Sequence, residues 1–295
     1  KSLPKTCKRY KTMNSTKKNI NTAVVNDFGL EWDAYNQLEL KDAEQCQMFQ
    51  KYFHIFPFAS LPKCASGFDL GCGSGRWAVL VAPRVGFLHC IDPAEAALAV
   101  ARRRLQKFDN VACHLASVDD IPLPEASQDF GYSIGVLHHI PDTILAMKSC
   151  IAKLKPDAPF LLYLYYRFDN RPIWFRAVWR ISDVGRQFIC RLPFPIKRRI
   201  TSLIAALVYW PLARLAKVLV RWGLNVVNFP LYNYRDASFY TMRTDALDRF
   251  GTKLEQRFTK AVIRAMMESS GLRDIQFSDC EPFWVAVGYR FGNAL

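Results

Sequence analysis

Three glycines at alternate positions, Gly71, Gly73 and Gly75, follow a short apolar run that contains the carboxylate Asp69. Glycine adopts backbone angles that are closed to other residues, so a ligand can lie directly against the main chain at this point. The N-terminus of a helix that follows would be aimed at the same ligand. The stretch therefore predicts a nucleotide-type pocket at the carboxyl end of a first strand.

More polar residues follow where further strands are predicted to end. Asp92 lies twenty-one residues after Gly71 and closes the apolar run 87–91, where an acid can bind both ribose hydroxyls. A third signal is the segment 117–120, a fourth is the segment 129–139, and a fifth is the Leu-Lys-Pro-Asp run at 154–157. In this order and at this spacing the five signals resemble the class I S-adenosylmethionine-dependent methyltransferases. The resemblance covers residues 28–166 and 236–290.

The resemblance implies a cofactor-binding set. S-adenosylmethionine would be held by Asp69, Gly71, Cys72, Gly73 and Gly75 at its methionine part, Asp92 at the ribose, Pro93, Val118 and Asp119 at the adenine, and Ile134 and Gly135 at the methionine amino group. Cys72 is interpreted as a small residue that fits the glycine turn rather than as a reactive thiol.

His139, just past the fourth strand, is the predicted catalytic residue. Imidazole titrates near neutral pH and can remove a proton from the nucleophile. The residue types alone favour the other interpretation, a structural histidine that closes the strand-to-helix turn. The Asn/Asp-Pro-Pro-Tyr/Phe motif used on nucleobase amines is absent, and no acidic set for Mg²⁺ is evident. A metal-free O- or C-methyltransferase is therefore favoured. The residues predicted to contact the substrate are Trp32, Tyr35, His139, Tyr165 and Arg167.

Short apolar runs alternate with helical patterns from residue 66 onward, which predicts parallel strands joined by right-handed crossovers. The predicted fold is α/β, a doubly wound and mostly parallel seven-stranded sheet with a helical cap insertion. The resemblance implies the strand order 3-2-1-4-5-7-6. Four parts are predicted: a basic, mobile arm (1–26), a cofactor-binding core with an N-terminal helical wall (27–166), a basic insertion (167–235) and the closing helices and strands (236–295).

The positive charge of the 295-residue chain is concentrated in two of these parts. The net charge is +14, of which the arm supplies +7 and residues 171–222 supply +10, so the remaining core is slightly acidic. Residues 171–222 also contain several tryptophans. This composition fits three kinds of surface: one that lies among anionic lipid head groups, one that binds nucleic acid, or the solvated basic exterior of a helical cap. The uncharged stretch 201–210 is too short to span a bilayer by itself.

Nine cysteines without metal-ligand spacing favour a reduced, cytoplasmic protein without a structural metal. The leading hypothesis is an S-adenosylmethionine-dependent methyltransferase that acts on a lipophilic small molecule, with peripheral membrane contact through residues 171–222. Two alternatives stay open: a cofactor-binding protein of this fold with other chemistry, and an RNA methyltransferase that uses the insertion.

Overall fold

The computed structural model describes residues 18–37 and 39–292. The larger part of the predicted basic arm, residues 1–17, lies outside the described residues.

A seven-stranded sheet in the order β3-β2-β1-β4-β5-β7-β6 forms the centre of the fold, and β7 is antiparallel to both of its neighbours. The predicted fold class and strand order are confirmed. The strands are β1 (Ser66–Leu70), β2 (Phe87–Asp92), β3 (Val111–Leu115), β4 (Phe130–Ile134), β5 (Pro159–Tyr163), β6 (Leu272–Phe277) and β7 (Val285–Arg290).

Two hydrophobic cores cover the two faces of the sheet. Phe160 and Leu162 of β5 belong to one core, whereas Leu161 and Tyr163 belong to the other. Successive side chains of a strand point to opposite faces, so a strand buried on both sides must be apolar at every position. The helices are α1 (Thr22–Ala34), α2 (Asp42–Phe53), α3 (Ala78–Val81), α4 (Glu95–Leu105), α5 (Thr143–Lys153), α6 (Ile173–Ile189), α7 (Phe194–Ile204), α8 (Trp210–Arg221), α9 (Phe239–Gly251) and α10 (Lys260–Ser269).

The insertion consists mainly of α6 and of one continuous 28-residue helix, Phe194–Arg221, hereafter the long helix. It joins α7 and α8 through a π-helical turn at Ala205–Tyr209. Pro211 has no backbone N–H and would clash with a regular preceding turn, and the wider π-turn accommodates it. The stretch 201–210 is thus part of a helix that is long and apolar enough, by length and composition, to cross a membrane. That this stretch continues into helix on both sides was not predicted from the sequence.

One face of the long helix packs against α9, and two of the predicted boundaries fall beside or inside helices. Met242 and Ala246 of α9 share a hydrophobic cluster with Ala205 and Tyr209, so α9 completes the core of the insertion although it follows the boundary predicted at residues 235 and 236. The boundary predicted at residues 26 and 27 falls inside α1. That helix begins at Thr22 because the side chain of Asn21 accepts a hydrogen bond from the Val24 N–H at 3.2 Å.

Candidate active site

One cavity of about 800 Å³ begins at the carboxyl ends of β1, β2, β4 and β5 and continues beneath the insertion. Its volume lies within the range of ligand pockets. Its first part is lined by the glycine loop and the ends of β2 and β4, and its second part by aromatic side chains and by α6, the long helix and α9. The edge of the sheet predicted from the glycine spacing is therefore the edge that carries the cavity.

The backbone of the glycine loop has the conformation that its sequence predicts. Gly71 has φ +77°, and a Cβ atom there would lie 2.4 Å from the side chain of Val136. Gly135 has φ +79°, but a Cβ atom there would meet no atom within 4 Å. Gly71 is thus required by packing and conformation, whereas Gly135 leaves open space beside the main chain where a ligand can lie.

Asp92 is held at the end of β2 by two backbone donors. Its Oδ2 accepts from the Gly73 N–H at 2.9 Å and its Oδ1 accepts from the Ala94 N–H at 2.8 Å. Burial raises the pKa of Asp92 to about 6. Each carboxylate oxygen has a second lone pair, so the group can still accept hydrogen bonds from two ribose hydroxyls.

The remaining predicted cofactor residues divide into two groups. Those that line the cavity are Cys72, Gly73, Pro93, Val118 and Ile134. Those that do not are Asp69, Gly75 and Asp119. Asp69 is buried below the loop, where burial raises its pKa well above the ordinary value. Gly75 faces Leu105 and Ala101 of α4, and Asp119 accepts a hydrogen bond from the backbone N–H of Asn19 at 2.5 Å.

His139 lines the cavity, and a hydrogen bond fixes which of its ring nitrogens carries the proton. Its Nδ1 lies 2.6 Å from the carbonyl oxygen of Leu254, and a carbonyl can only accept, so Nδ1 carries the proton. Nε2 then presents a lone pair, and this buried atom has no hydrogen-bond partner. Burial lowers the pKa of His139, which keeps the ring neutral near pH 7. His138 does not line the cavity; its ring stacks on Tyr165 at 3.9 Å between centroids.

Three carboxylates that sequence reasoning missed also line the cavity: Glu31 of α1, and Asp245 and Asp248 of α9. In the described part of the chain none of them has an ion-pair partner within 4 Å. Burial raises the pKa of Asp245 to about 6, and burial followed by the charge of Asp248 raises that of Glu31. The Tyr165 hydroxyl donates to Oδ2 of Asp248, while Oδ1 is buried without a partner. Asp248, whose charge acts on His139, can accept a hydrogen bond from a polar atom bound beside that ring.

The spacing of Asp245 and Asp248 places them on one helix face, but no sequence signal places that face above the cavity. Among residues 18–37 and 39–292, no group of three or more His, Cys, Asp or Glu could hold a metal ion.

The predicted substrate residues are only partly assembled. Trp32, His139 and Tyr165 line the cavity, whereas Tyr35 and Arg167 do not. Tyr35 lies beyond the last residue of α1 and packs edge-on against Tyr240. Its side chain is therefore not on the face of α1 that carries Trp32 into the cavity. The Arg167 side chain is exposed to solvent. The cationic side chains that line the cavity are instead Arg76, Arg171, Arg249 and Arg257.

Residues 68–162 match a family model described as "Methyltransferase domain". The chain is 29% identical over 133 residues to a ubiquinone biosynthesis O-methyltransferase of Xanthomonas axonopodis, a match that covers 44% of this chain and 53% of that protein. It is 23% identical over 128 residues to a demethylmenaquinone methyltransferase of Bacillus licheniformis, covering 37% and 55%. The chain spans about half the length of these curated relatives.

Among solved structures, the S-adenosylmethionine-dependent methyltransferase SibL has a similar fold, with a TM-score of 0.50 and 13% identity, covering 85% of this chain and 57% of that one. The strand order, the glycine loop and the family match together define the class. The chain contains a class I, Rossmann-like S-adenosylmethionine-dependent methyltransferase domain. S-adenosylmethionine is the cofactor of this class, and the open space at Gly135 and the spare lone pairs of Asp92 fit it.

Proposed function

We propose that this protein transfers a methyl group from S-adenosylmethionine to an oxygen or carbon atom of a lipophilic small molecule, without a metal ion. The observation that carries the proposal is the position of His139. Its unpartnered Nε2 lies in the same cavity as the glycine loop and the aromatic wall. The relatives named as quinone methyltransferases support an acceptor of this kind.

The lining of the cavity beyond the cofactor end favours an apolar acceptor. Its wall is formed largely by aromatic and aliphatic side chains, among them Tyr163, Phe168 and Trp179, with Ile204 and Leu212 from the long helix. Large apolar walls bind a ligand through the area they bury, and the few polar groups fix its orientation. A quinone-like, prenylated or acyl compound matches this distribution.

When bound, the cofactor supplies an electrophilic methyl group on a sulfonium. The chain's own residues must hold the acceptor in line and remove its proton. The glycine loop and Asp92 fix the cofactor end, and the aromatic wall fixes the acceptor, which lowers the barrier by several kcal/mol through orientation. His139 Nε2 is the group that takes the proton of the acceptor, because the Leu254 carbonyl holds the proton on Nδ1. Asp248, held by Tyr165, orients the same acceptor group.

The proposal is tested by incubating the purified protein with methyl-labelled S-adenosylmethionine and fractionated lipid extracts. Label is expected in an organic-phase product, at an undiminished rate when EDTA is present. Label that appears only in polar metabolites or in RNA would contradict the proposal. Tight cofactor binding with no product from any extract would instead support a binding protein without transferase chemistry. Cytoplasmic placement stays a prediction.

A further inference from the structure

We infer that the cavity opens through the insertion onto an anionic lipid bilayer, and that the acceptor enters directly from that bilayer. This inference rests on the proposed function only for the lipophilic nature of the acceptor. It goes further in assigning a surface, a partner and a direction of entry.

The opening of the cavity to solvent, hereafter the mouth, is located by residues that belong both to the cavity wall and to the protein surface. Val178 of α6 is 50% exposed, Val208 of the π-turn is 43% exposed and Val227 is 50% exposed, and all three line the cavity. The described lining residues around the glycine loop are half-buried or buried. The cavity is therefore open beside α6 and the long helix, and its exposed rim is largely apolar, with Asn233 as a polar member.

The surface around this mouth is apolar to an extent unusual for a protein that faces water alone. On α6, Ile173, Ile181 and Phe188 are each at least 67% exposed, and on the other side Leu207 and Trp222 are 73% and 72% exposed. Contiguous apolar patches of this kind mark sites of contact with membranes or proteins.

The positive charges among these apolar side chains indicate an anionic bilayer as the partner. Arginines exposed on the insertion without an ion pair in the described part of the chain are Arg176, Arg180, Arg191, Arg198, Arg199 and Arg221. The acid in this segment, Asp183, is already paired with Arg186 at 2.7 Å. Aliphatic and tryptophan side chains interleaved with unpaired arginines match the boundary between acyl chains and anionic head groups.

The contacts of the long helix favour a helix that lies on the bilayer over one that crosses it. Its opposite face is buried against α9, and Lys197 on that face donates to the Gly251 carbonyl at 3.1 Å and lies 3.0 Å from Asp27. A spanning orientation would separate these groups and leave Lys197 unpaired in hydrocarbon, which is strongly unfavourable.

The surface is tested by co-sedimentation of the full chain with vesicles of phosphatidylcholine alone and of equal parts phosphatidylcholine and phosphatidylglycerol. The wild type is expected to bind the anionic vesicles preferentially. The triple variant Arg176→Gln, Arg180→Gln, Arg199→Gln is expected to lose about a hundredfold in partition coefficient. The control triple Arg103→Gln, Lys107→Gln, Lys148→Gln removes three exposed charges from the core and should leave binding unchanged.

Equal binding of the wild type to both vesicle types, or equal losses in the two triple variants, would overturn the inference. Salt-sensitive binding to single-stranded RNA without vesicle binding would assign the surface to nucleic acid and overturn it as well.

The mouth is tested with a single glycine of α6. Gly185 lines the cavity, and a Cβ atom there would meet nothing within 4 Å, so Gly185→Leu fills the passage without a backbone collision. The matched control is Ala177→Leu, on the exposed face of the same helix between Ile173 and Ile181, and probe binding by both variants is normalised to the amount of vesicle-bound protein. Transfer of dansyl-undecanoic acid from anionic vesicles is followed by fluorescence. Gly185→Leu is expected to lower probe binding about tenfold or more, with vesicle binding and calorimetric S-adenosylmethionine affinity unchanged.

Equal probe binding by the two leucine variants would place the entrance elsewhere and overturn the inference. Neither measurement depends on methyl transfer, so an inactive protein that still passes both tests would contradict the proposed function alone.

Discussion

The glycine loop and the insertion line the same cavity but with different kinds of wall. Around the glycine loop and the end of β4 the cavity is lined partly by main chain, as at Gly71 and Gly73 and in the open space beside Gly135. In the insertion the cavity wall consists of side chains on separate helices, such as Val178 and Leu212. Backbone recognition suits a cofactor common to a whole class, whereas side chains on inserted helices can change with the acceptor.

This contrast predicts that the most damaging single change lies where the two regions meet. His139→Ala removes the group that takes the acceptor's proton, and kcat should fall about 10²- to 10³-fold. Because burial lowers the pKa of His139, the wild-type rate should be flat near pH 7 and fall only at pH values below the ordinary imidazole range, where the ring is protonated. The variant should lack that acid limb in a steady-state pH–rate profile.

His54→Ala, at an exposed histidine, is the control for this prediction and should keep both rate and profile. An unchanged acid limb in His139→Ala would show that His139 only closes the turn after β4.

A second prediction concerns the backbone side of the contrast. Asp92→Ala removes the ribose acceptor and leaves the N–H groups of Gly73 and Ala94 without a partner. Calorimetry should detect an affinity for S-adenosylmethionine about 10- to 100-fold lower, with the same loss for the demethylated product. Asp109→Ala, at an exposed carboxylate, should bind like the wild type. Parental affinity in Asp92→Ala would mean that the ribose is held elsewhere.

A third prediction concerns the side-chain wall. Burial raises the folded-state pKa of Asp245 to about 6, above its unfolded value, so ionisation of this group destabilises the folded protein as pH rises from 4 to 6. Asp245→Asn should therefore raise the free energy of unfolding by about 1–3 kcal/mol at pH 7.5, and by about half as much at pH 5. Denaturant unfolding at the two pH values measures this difference. A gain that does not depend on pH would contradict the assignment.

The smallest expected effect lies on the exposed face of the insertion. Ile181→Ser changes a side chain that is 74% exposed, so the free energy of unfolding should stay within about 0.5 kcal/mol of the wild type. Phe160→Ala, in the buried centre of β5, should cost about 3–5 kcal/mol by comparison. A large loss in Ile181→Ser would show that this face is covered by protein and would weaken the contrast.

Sequence reasoning reached furthest where local rules decide the structure. The alternation of apolar runs predicted the parallel strands, and the glycine spacing predicted a pocket at their carboxyl ends, because turns, strand ends and crossovers follow short-range chemistry. The strand order and most of the cofactor residues came from the family resemblance. It failed where distant elements meet. Glu31, Asp245 and Asp248 come from helices more than 200 residues apart, and only tertiary packing brings them to one cavity. Asp69 and Tyr35 were predicted at the cavity from neighbouring motifs, but burial takes both away from it.

Helix α9 joins the two regions. It contacts α1, α6 and α7, it supplies Met242 and Ala246 to the hydrophobic cluster of the long helix, and it carries Asp245 and Asp248. The insertion is therefore not a transplantable module. A chimera that exchanges residues 167–235 between relatives would pack the incoming helices against an α9 that does not match them. An engineered change of acceptor must therefore exchange α9 together with the insertion.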